Sequence, residues 1–302
     1  TELRGGNAAN TAAALASLGA EVHPIIYTSP LGLHLLKFYF EPLGVDLSHV
    51  KTDGETSITT ALEFSSQKGK VNVMLRDLGS LAKFGLNHLV LKDFELLQEA
   101  DYVCVFNWAG TKRYGTELAE GVFRYVKEEG KGKTYYDTAD PNPKKEEIPR
   151  LIRKILLSDV VDILSVNENE AVTYASQLDE QEVNKLQKTL TVDELTKECA
   201  RILAENLSAR IDLHTTSFAA SFTKNFETVV PAFSVPVLRT TGAGDAWNAG
   251  NIFGDAHGLP DAYRLALANA VAAYYISSVK GEHPTVFQLR KFMQQILNQE
   301  TE

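Results

Sequence analysis

The sequence predicts a doubly wound α/β fold, in which helices cover both faces of a mostly parallel sheet and a small β lid projects from it. From about residue 90 onward, short apolar strands alternate with amphipathic helices, a pattern typical of a parallel sheet that is buried on both faces. Before that point, two β-like runs have the spacing of a hairpin. The length of 302 residues suits one large α/β domain with a small appendage, so we expect residues 1–302 to form one domain.

The first third of the chain contains two predicted helices and the predicted lid. The alanine-rich stretch NAANTAAALASLG predicts a helix that ends near Gly19. A short strand, EVHPIIY, and a second helix, LGLHLLKFYFEPLG, follow it. Two β-like runs, 56–64 and 71–76, are then joined by the polar turn SSQKGK, and we expect them to form the lid over about 55–76.

In the second part of the chain, an amphipathic helix precedes each predicted strand. The predicted strands are 101–107, 134–137, 161–166 and 210–214. A short meander of strands is expected from 215 to 233. The remainder is predicted to be helical, over 245–257, 261–279 and 285–298.

The composition excludes several classes of function. A net charge of −9 argues against a general nucleic-acid-binding protein, which would have a basic surface. No apolar run approaches the roughly 20 residues that a membrane-spanning helix needs, and no secretory signal pattern is present, so we expect a cytoplasmic protein without membrane contact. Cys104 and Cys199 are far apart and are predicted to be buried free thiols. The histidines follow no known metal-binding pattern.

The stretch TTGAGD, residues 240–245, has the features of an anion site with a base beside it. Gly242 and Gly244 allow successive backbone N–H groups to point into one concavity, and a helix that begins there adds unpaired N–H donors and the positive end of its dipole. A carboxylate at that point would repel a phosphate, unless Asp245 must accept a proton from a hydroxyl that attacks the phosphoryl group. The alternative is an ordinary acid in the first turn of a helix, and these residues alone leave both interpretations open.

The stretch GGNAAN, residues 5–10, is a candidate site for a polyhydroxylated ligand. Gly6 permits a close backbone approach, while the side-chain amides of Asn7 and Asn10 can both donate and accept hydrogen bonds, as sugar hydroxyls require. An asparagine N-cap preceded by a glycine turn is an equally good interpretation of these residues.

The stretch SVNENEA follows a predicted strand and is a candidate metal and nucleotide site. Asn167 and Glu170 are three residues apart, so they share one face of a helix that begins there. An amide and a carboxylate at the end of a parallel strand could hold a hydrated Mg²⁺ near phosphates. Taken alone, the pattern fits a helix capping box with solvated acids better.

Further candidates for contacts with an acceptor rest on position alone. Asn107, Asp137 and Asp140 lie at the ends of strands, where open α/β sheets bind ligands, although turn-forming residues explain them as well. Arg76 closes the second strand of the hairpin and could contact either a substrate or an acidic neighbour.

Together, GGNAAN, NENE and TTGAGD, with the stretch GVDLSHV and the hairpin, resemble the ribokinase-like (PfkB) family of carbohydrate and nucleoside kinases. The resemblance covers nearly the whole chain, and its TTGAGD signature is highly specific. It implies a doubly wound α/β domain with a β lid, and it assigns the catalytic base to Asp245 and the anion hole to the backbone of Gly242, Ala243 and Gly244.

The same resemblance implies roles for the other candidates. Gly6, Asn7 and Asn10 would face the acceptor. Asn167 would bind the nucleotide, and Glu170 would bind Mg²⁺ through water.

Two further positions take a nucleotide-binding role from the resemblance. Thr216 lies in the loop that carries nucleotide contacts in the family, and Asn269 lies in the helix that flanks the adenine.

The resemblance therefore implies a Mg²⁺-dependent kinase that transfers the terminal phosphoryl group of a nucleotide, with ATP as the first candidate, to a hydroxyl of a sugar or sugar derivative. A nucleoside kinase, an ADP-dependent sugar kinase and a non-catalytic ligand-binding protein of the same fold are the alternatives. Lids in this family often pair between subunits, so a homodimer is expected. A dinucleotide-binding protein has little support, because no GxGxxG follows the first strand.

The chain departs from the family pattern in three places. The family has a strand before its GG motif, but this sequence begins four residues before Gly5, so we expect that strand to be missing from it, as in a fragment. Arg239 stands where the family has an aspartate, and it could contact a phosphate or pair with a surface acid. The segment HTTSFAAS, residues 214–221, lacks both glycines of the family's T-x-G-x-x-G loop, which leaves open whether ATP or ADP is the donor.

Overall fold

The structure, a computed structural model, describes residues 5–66 and 69–299. Its strands are β1 (Ile58–Ser66), β2 (Gly69–Asp77), β3 (Tyr102–Phe106), β4 (Lys133–Asp137), β5 (Ile163–Val166), β6 (Arg210–His214), β7 (Phe218–Phe222) and β8 (Glu227–Pro231). Its helices are α1 (Asn7–Ser17), α2 (Pro30–Phe40), α3 (Leu91–Glu99), α4 (Gly115–Glu129), α5 (Ile148–Leu151), α6 (Glu168–Leu178), α7 (Glu180–Leu186), α8 (Val192–Asn206), α9 (Ala243–Ala256), α10 (Asp261–Ser277) and α11 (Val286–Gln299).

The central sheet is mostly parallel, as the alternating pattern predicts. Its six strands lie in the order β3-β4-β5-β6-β7-β8; β3 to β6 pair in parallel, and β7 and β8 add antiparallel pairs at one edge. Parallel neighbours need a crossover between them, and α4 and α8 supply crossovers before β4 and β6. The antiparallel pairs need only tight turns, which explains the predicted meander of short strands.

Helices cover both faces of this sheet because successive strand residues point to opposite sides. Val103 and Tyr136 lie in the core formed with α4, α5, α6 and α8. The adjacent residues Cys104 and Tyr135 lie on the other face, where Ile252 of α9 packs. The doubly wound architecture is thus confirmed. Both cysteines are free thiols, with Cys199 buried and Cys104 partly buried.

The hairpin β1-β2 forms a separate antiparallel sheet, in which Ile58 lies opposite Asp77. Both strands are longer than the sequence indicated, since β1 continues to Ser66 and β2 begins at Gly69; residues 67–68, part of the predicted turn, lie outside the described residues. The predicted strand EVHPIIY does not form a strand, because its pairing is limited to a single parallel bridge between Tyr27 and Lys51.

A buried ion network joins α10 to the sheet. The guanidinium of Arg264 is fully buried and donates to Asp212 of β6 at 2.9 Å and to Ser221 of β7 at 3.0 Å. Arg210 adds a second cation, with its Nη2 2.9 Å from Asp212. Burial alone would raise the pKa of Asp212, but Arg210 and Arg264 outweigh it and hold that pKa well below its ordinary value. This network fixes α10 against the strands, and α9 packs beside α10.

Within the described part of the chain, no helix is both long enough and apolar enough to span a membrane.

Candidate active site

The turn before α9 has the backbone geometry that the glycines of TTGAGD allow. Gly242 has a φ of +89° in the left-handed region, and α9 begins directly after it without a side-chain cap. A Cβ on Gly242 would lie 2.7 Å from the hydroxyl of Tyr275, so a larger residue would clash there. We name residues 240–244 the anion turn, because the N–H groups and dipole at the start of α9 favour an anion at this point; the N–H of Ala243 also donates to the carbonyl of Thr240 at 3.2 Å.

Two asparagines of α1 hold the carboxylate of Asp245. The amide of Asn7 donates to Oδ1 at 3.0 Å, and the amide of Asn10 donates to Oδ2 at 2.8 Å. Thr11 donates to the backbone carbonyl of the same residue at 3.2 Å. The tertiary fold therefore brings the GGNAAN and TTGAGD motifs together, although they lie more than 230 residues apart.

The pKa of Asp245 lies close to neutral pH. Burial raises its pKa to about 7, because only 7% of the residue is exposed. The negative charge of Asp137 adds to this rise, while the hydrogen bonds from Asn10 and Asn7 oppose it. A carboxylate with a pKa near the working pH is suited to act as a general base.

Asp137 lies close enough to Asp245 for its charge to raise the pKa of Asp245, which its position at a strand end did not indicate. It ends β4, is buried, and accepts a hydrogen bond from the amide of Asn248 at 2.5 Å. Asn248 is fully buried on α9, three residues after Asp245, and its Oδ1 accepts from Ser165 of β5. Sequence reasoning missed Asn248. Its spacing of three from the base, which places both on one helix face, was the available signal.

Asn167 and Glu170 form a capping box at the start of α6. The side chain of Asn167 accepts from the N–H of Glu170 at 3.0 Å, and Glu170 accepts from the N–H and the side-chain amide of Asn167 at 3.0 and 2.9 Å. Unlike the solvated acid of an ordinary capping box, Glu170 is only 3% exposed. Its burial, and then the negative charge of Asp137, raise its pKa well above the ordinary value, against these hydrogen bonds.

The donor set at Glu170 is compatible with Mg²⁺ only if other ligands complete the coordination. Burial raises the pKa values of both Glu170 and Asp137, so a nearby cation would stabilise their ionised forms. Among the described residues, no group of three or more histidine, cysteine or acidic side chains is arranged to hold a metal. Mg²⁺ commonly uses one or two carboxylates together with phosphates and waters, and the carboxylates here fit that pattern.

The loop between β6 and β7 carries Thr216, one of the predicted nucleotide-binding residues. Thr216 is exposed, and its N–H donates to the carboxylate of Glu168 at 3.0 Å. His214 lies beside the anion turn, because a Cβ on Gly244 would be 3.1 Å from its Cε1. Burial lowers the pKa of His214 to about 4, so its ring is neutral. No pattern in the sequence marks this histidine as part of the site.

The roles of the remaining candidates on the acceptor side stay predictions. Gly6, with a φ of +94°, precedes α1. Asn107 has a left-handed φ of +64° and accepts from the N–H of Gly110, as a turn-forming residue does, while its own N–H bonds to the carbonyl of Asp137. Arg76 is exposed on β2.

The side-chain amide of Asn269 is hydrogen-bonded within the protein. Its Oδ1 accepts from the indole of Trp247 at 2.9 Å, and its Nδ2 donates to the carbonyl of Pro231 at 3.0 Å. Both ends of the amide are thus engaged by α9 and β8, and its predicted contact with a nucleotide base remains a prediction.

A doubly wound sheet, an anion turn at a helix start and a buried carboxylate beside it are the features expected of a phosphotransferase. The chain belongs to the pfkB family of carbohydrate kinases, whose family model matches residues 1–286.

Named relatives agree with this assignment at low identity. The chain is 24% identical to the 5-dehydro-2-deoxygluconokinase of Geobacillus kaustophilus over 306 aligned residues, covering 99% of this chain and 87% of that protein. Among solved structures, the ribokinase of Cryptococcus neoformans in complex with ADP matches with a TM-score of 0.75 at 17% identity, covering 98% of this chain and 89% of that one. The adenosine kinase of Sinorhizobium meliloti matches with a TM-score of 0.74 at 20% identity, covering 98% and 84%. At these identities the structural matches support the shared fold.

Proposed function

We propose that this protein transfers the terminal phosphoryl group of a nucleotide, with ATP as donor, to a hydroxyl of a sugar or sugar derivative. The observation that carries the proposal is the buried carboxylate of Asp245, which two asparagines orient directly beside the anion turn. In this proposal residues 1–302 form one domain, and the hairpin over about 55–76 acts as a lid that excludes water and so limits hydrolysis of the nucleotide.

The proposed mechanism uses the chain's own groups at each step. Asp245 accepts the proton of the acceptor hydroxyl as that oxygen bonds to the terminal phosphorus, and the bond from phosphorus to the bridging oxygen of the nucleotide breaks. The N–H groups of Gly242, Ala243 and Gly244 and the dipole of α9 stabilise the charge on the phosphoryl oxygens. Glu170 would hold Mg²⁺ through water, and that ion would neutralise the phosphate charge.

The other candidates keep supporting roles in the proposal. The proposed contacts on the nucleotide side are Asn167, Thr216 and Asn269. On the acceptor side the proposed contacts are Gly6, Asn7, Asn10, Asn107 and Arg76. One N–H of each side-chain amide of Asn7 and Asn10 donates to the base, so the second N–H and the side-chain carbonyl oxygen of each remain for acceptor hydroxyls.

A matrix of donors and acceptors tests this function. ATP, ADP and GTP are each combined with hexoses, pentoses, deoxy sugar acids and nucleosides in the presence of Mg²⁺, and the phosphorylated product is detected by mass spectrometry. We expect transfer from ATP to at least one sugar or sugar derivative. Transfer from ADP alone would replace the donor, and transfer to nucleosides alone would replace the acceptor. Binding without transfer from any pair would refute the proposal.

The rate is expected to depend on pH through Asp245. A base must be ionised to accept a proton, so kcat/KM should rise as the pH increases through about 7, the pKa to which burial raises this carboxyl. Replacing Asn10 with alanine removes a hydrogen bond that stabilises the ionised form, so the midpoint should move to higher pH. The measurement is a set of pH–rate profiles, with Asn206→Ala, which changes an exposed asparagine of α8, as the control. Identical midpoints in all three proteins would contradict the assignment of the base.

A homodimer through the lid is a second expectation of the proposal. Ile58, Leu62, Val73 and Leu75 are exposed, and the strand register puts them on one face of the hairpin. An exposed apolar strip of this kind is suited to a second copy of the same strip. The double variant Ile58→Lys, Leu75→Lys should weaken dimerisation by about two orders of magnitude, because it would place charges in the interface.

Sedimentation velocity at several concentrations measures this effect. Leu91→Lys, which changes an exposed apolar residue of α3, is the control and should leave the dimer unchanged. A monomeric wild-type protein, or a dimer that persists in the double variant, would refute pairing through the lid.

A further inference from the structure

Arg239 directly precedes the anion turn, and its contacts differ from both roles that the sequence left open. Its Nε donates to the carbonyl of Ser278 at 3.1 Å, and its Nη2 donates to the carbonyl of Val279 at 2.6 Å. Both carbonyls follow the end of α10. None of the ion pairs among the described residues includes Arg239. The guanidinium is therefore engaged with the backbone after α10 and not with a surface acid.

The loop after α10 fits closely around this guanidinium. Gly281 has a φ of +69°, and a Cβ there would lie 2.3 Å from Nη1 of Arg239. The backbone on the other side is also attached to α10, since the N–H groups of Leu238 and Arg239 donate to the carbonyl of Ile276 at 2.9 and 3.3 Å. The guanidinium of Arg239 thus joins two non-helical segments, residues 238–239 and 278–281. We name this arrangement the arginine clamp.

Tyr275 connects the arginine clamp to the anion turn. The guanidinium carbon of Arg239 lies 5.8 Å from the centre of the Tyr275 ring, within the range of a cation–π contact. The hydroxyl of the same ring donates to the carbonyl of Thr241 at 3.2 Å. The ring also lies under Gly242, where a Cβ would be 3.1 Å from Cε1. One buried side chain thus touches both the clamp and the turn.

We propose that Arg239 is a positioning residue for phosphoryl transfer, which holds the anion turn in its active conformation through Tyr275 and the loop after α10. The proposal rests on the proposed function. The side chain of Arg239 is partly buried, and its Nε and Nη2 are occupied by the carbonyls of Ser278 and Val279, so the proposal gives it no contact with the substrates. Its effect is to keep the N–H groups of residues 242–244 directed at the phosphoryl oxygens, and a displacement of about 1 Å at such a site costs about 10²-fold in rate.

Two measurements on Arg239→Ala test this role, with Arg290→Ala as the matched control because Arg290 is exposed on α11. Hydrogen–deuterium exchange of peptides that span residues 240–246 should be about tenfold faster in Arg239→Ala than in the control, since the turn is no longer held. The kcat should fall by about 10- to 100-fold, with the KM of the acceptor nearly unchanged. Arg239→Lys should be intermediate, because an ammonium keeps the charge but lacks the planar arrangement of donors.

Chemical rescue separates the clamp from a general loss of structure. Guanidinium chloride, at concentrations far below those that denature proteins, should restore part of the kcat of Arg239→Ala and slow the exchange of residues 240–246. It should have no such effect on the wild-type protein or on Arg290→Ala. The proposal would be overturned if the hydrogen–deuterium exchange of residues 240–246 and the kcat of Arg239→Ala both equalled those of the control. A nucleotide KM raised about tenfold or more at unchanged kcat would also overturn it, because that result would assign Arg239 to phosphate binding.

The two proposals fail in distinguishable ways. If the wild-type protein transfers no phosphoryl group, the proposed function fails, and the exchange of residues 240–246 still decides whether Arg239 holds the turn. If Arg239→Ala does not fold, the comparison of Arg239→Lys with the wild-type protein decides the same question, and unchanged exchange and kcat in that variant would overturn the clamp.

Discussion

Asp245→Asn is expected to lower kcat by about 10³-fold, the largest effect on activity of any single substitution proposed for this chain. The asparagine cannot accept the proton of the acceptor hydroxyl, and the remaining rate depends on the anion turn and on substrate positioning alone. Nucleotide affinity should change by less than about threefold, because the substitution keeps the shape of the side chain and does not add a negative charge beside the phosphates. Steady-state kinetics and isothermal titration calorimetry measure the two quantities.

Asp193→Asn is the matched control, since Asp193 also lies in the first turn of a helix, α8, away from the site. This variant should retain full activity. Full activity in Asp245→Asn would refute the base assignment. A loss of nucleotide binding as large as the loss of kcat would instead make Asp245 a structural residue of the turn.

Asp212→Ala is expected to lower the free energy of unfolding by about 3–5 kcal/mol, the largest loss of stability among the predictions. The substitution removes the fully buried carboxylate partner of Arg264, whose guanidinium keeps only the partly exposed carboxylate of Asp261, and Arg210 loses the same partner. Since α10 packs on α9, which carries Asp245, activity should be lost at a lower temperature than in the wild-type protein. Urea denaturation followed by circular dichroism measures the change.

Two further variants test whether the loss of stability comes from the buried charge. Lys185→Met removes an exposed ion pair with Glu182 and should cost less than about 1 kcal/mol. The double variant Asp212→Ala, Arg264→Met should recover part of the lost stability, because it also removes the buried guanidinium that has lost its buried carboxylate. A double variant less stable than Asp212→Ala would show that packing, and not charge burial, dominates this region.

Local sequence patterns were sufficient to predict much of the fold. Helices predicted at 245–257 and 261–279 correspond to Ala243–Ala256 and Asp261–Ser277, and the hairpin and the parallel strands are also present. Periodicity and glycine conformations depend on near neighbours, so they can be recognised in a single sequence. The strand predicted from EVHPIIY did not form, because a strand requires a partner along its length that its own residues do not specify.

The sequence by itself determined the architecture, the anion turn and the identity of the acid beside it. The tertiary structure alone decided the surroundings of that acid: the amides of Asn7 and Asn10 on its carboxylate, and Asp137 close enough to raise its pKa. It also decided that Arg239, whose charge suggested an anionic partner, binds the carbonyls of Ser278 and Val279. The physical reason is that burial, hydrogen bonds and charge–charge effects depend on distances in space between residues far apart in the chain, whereas glycine conformations and helix starts depend on adjacent residues.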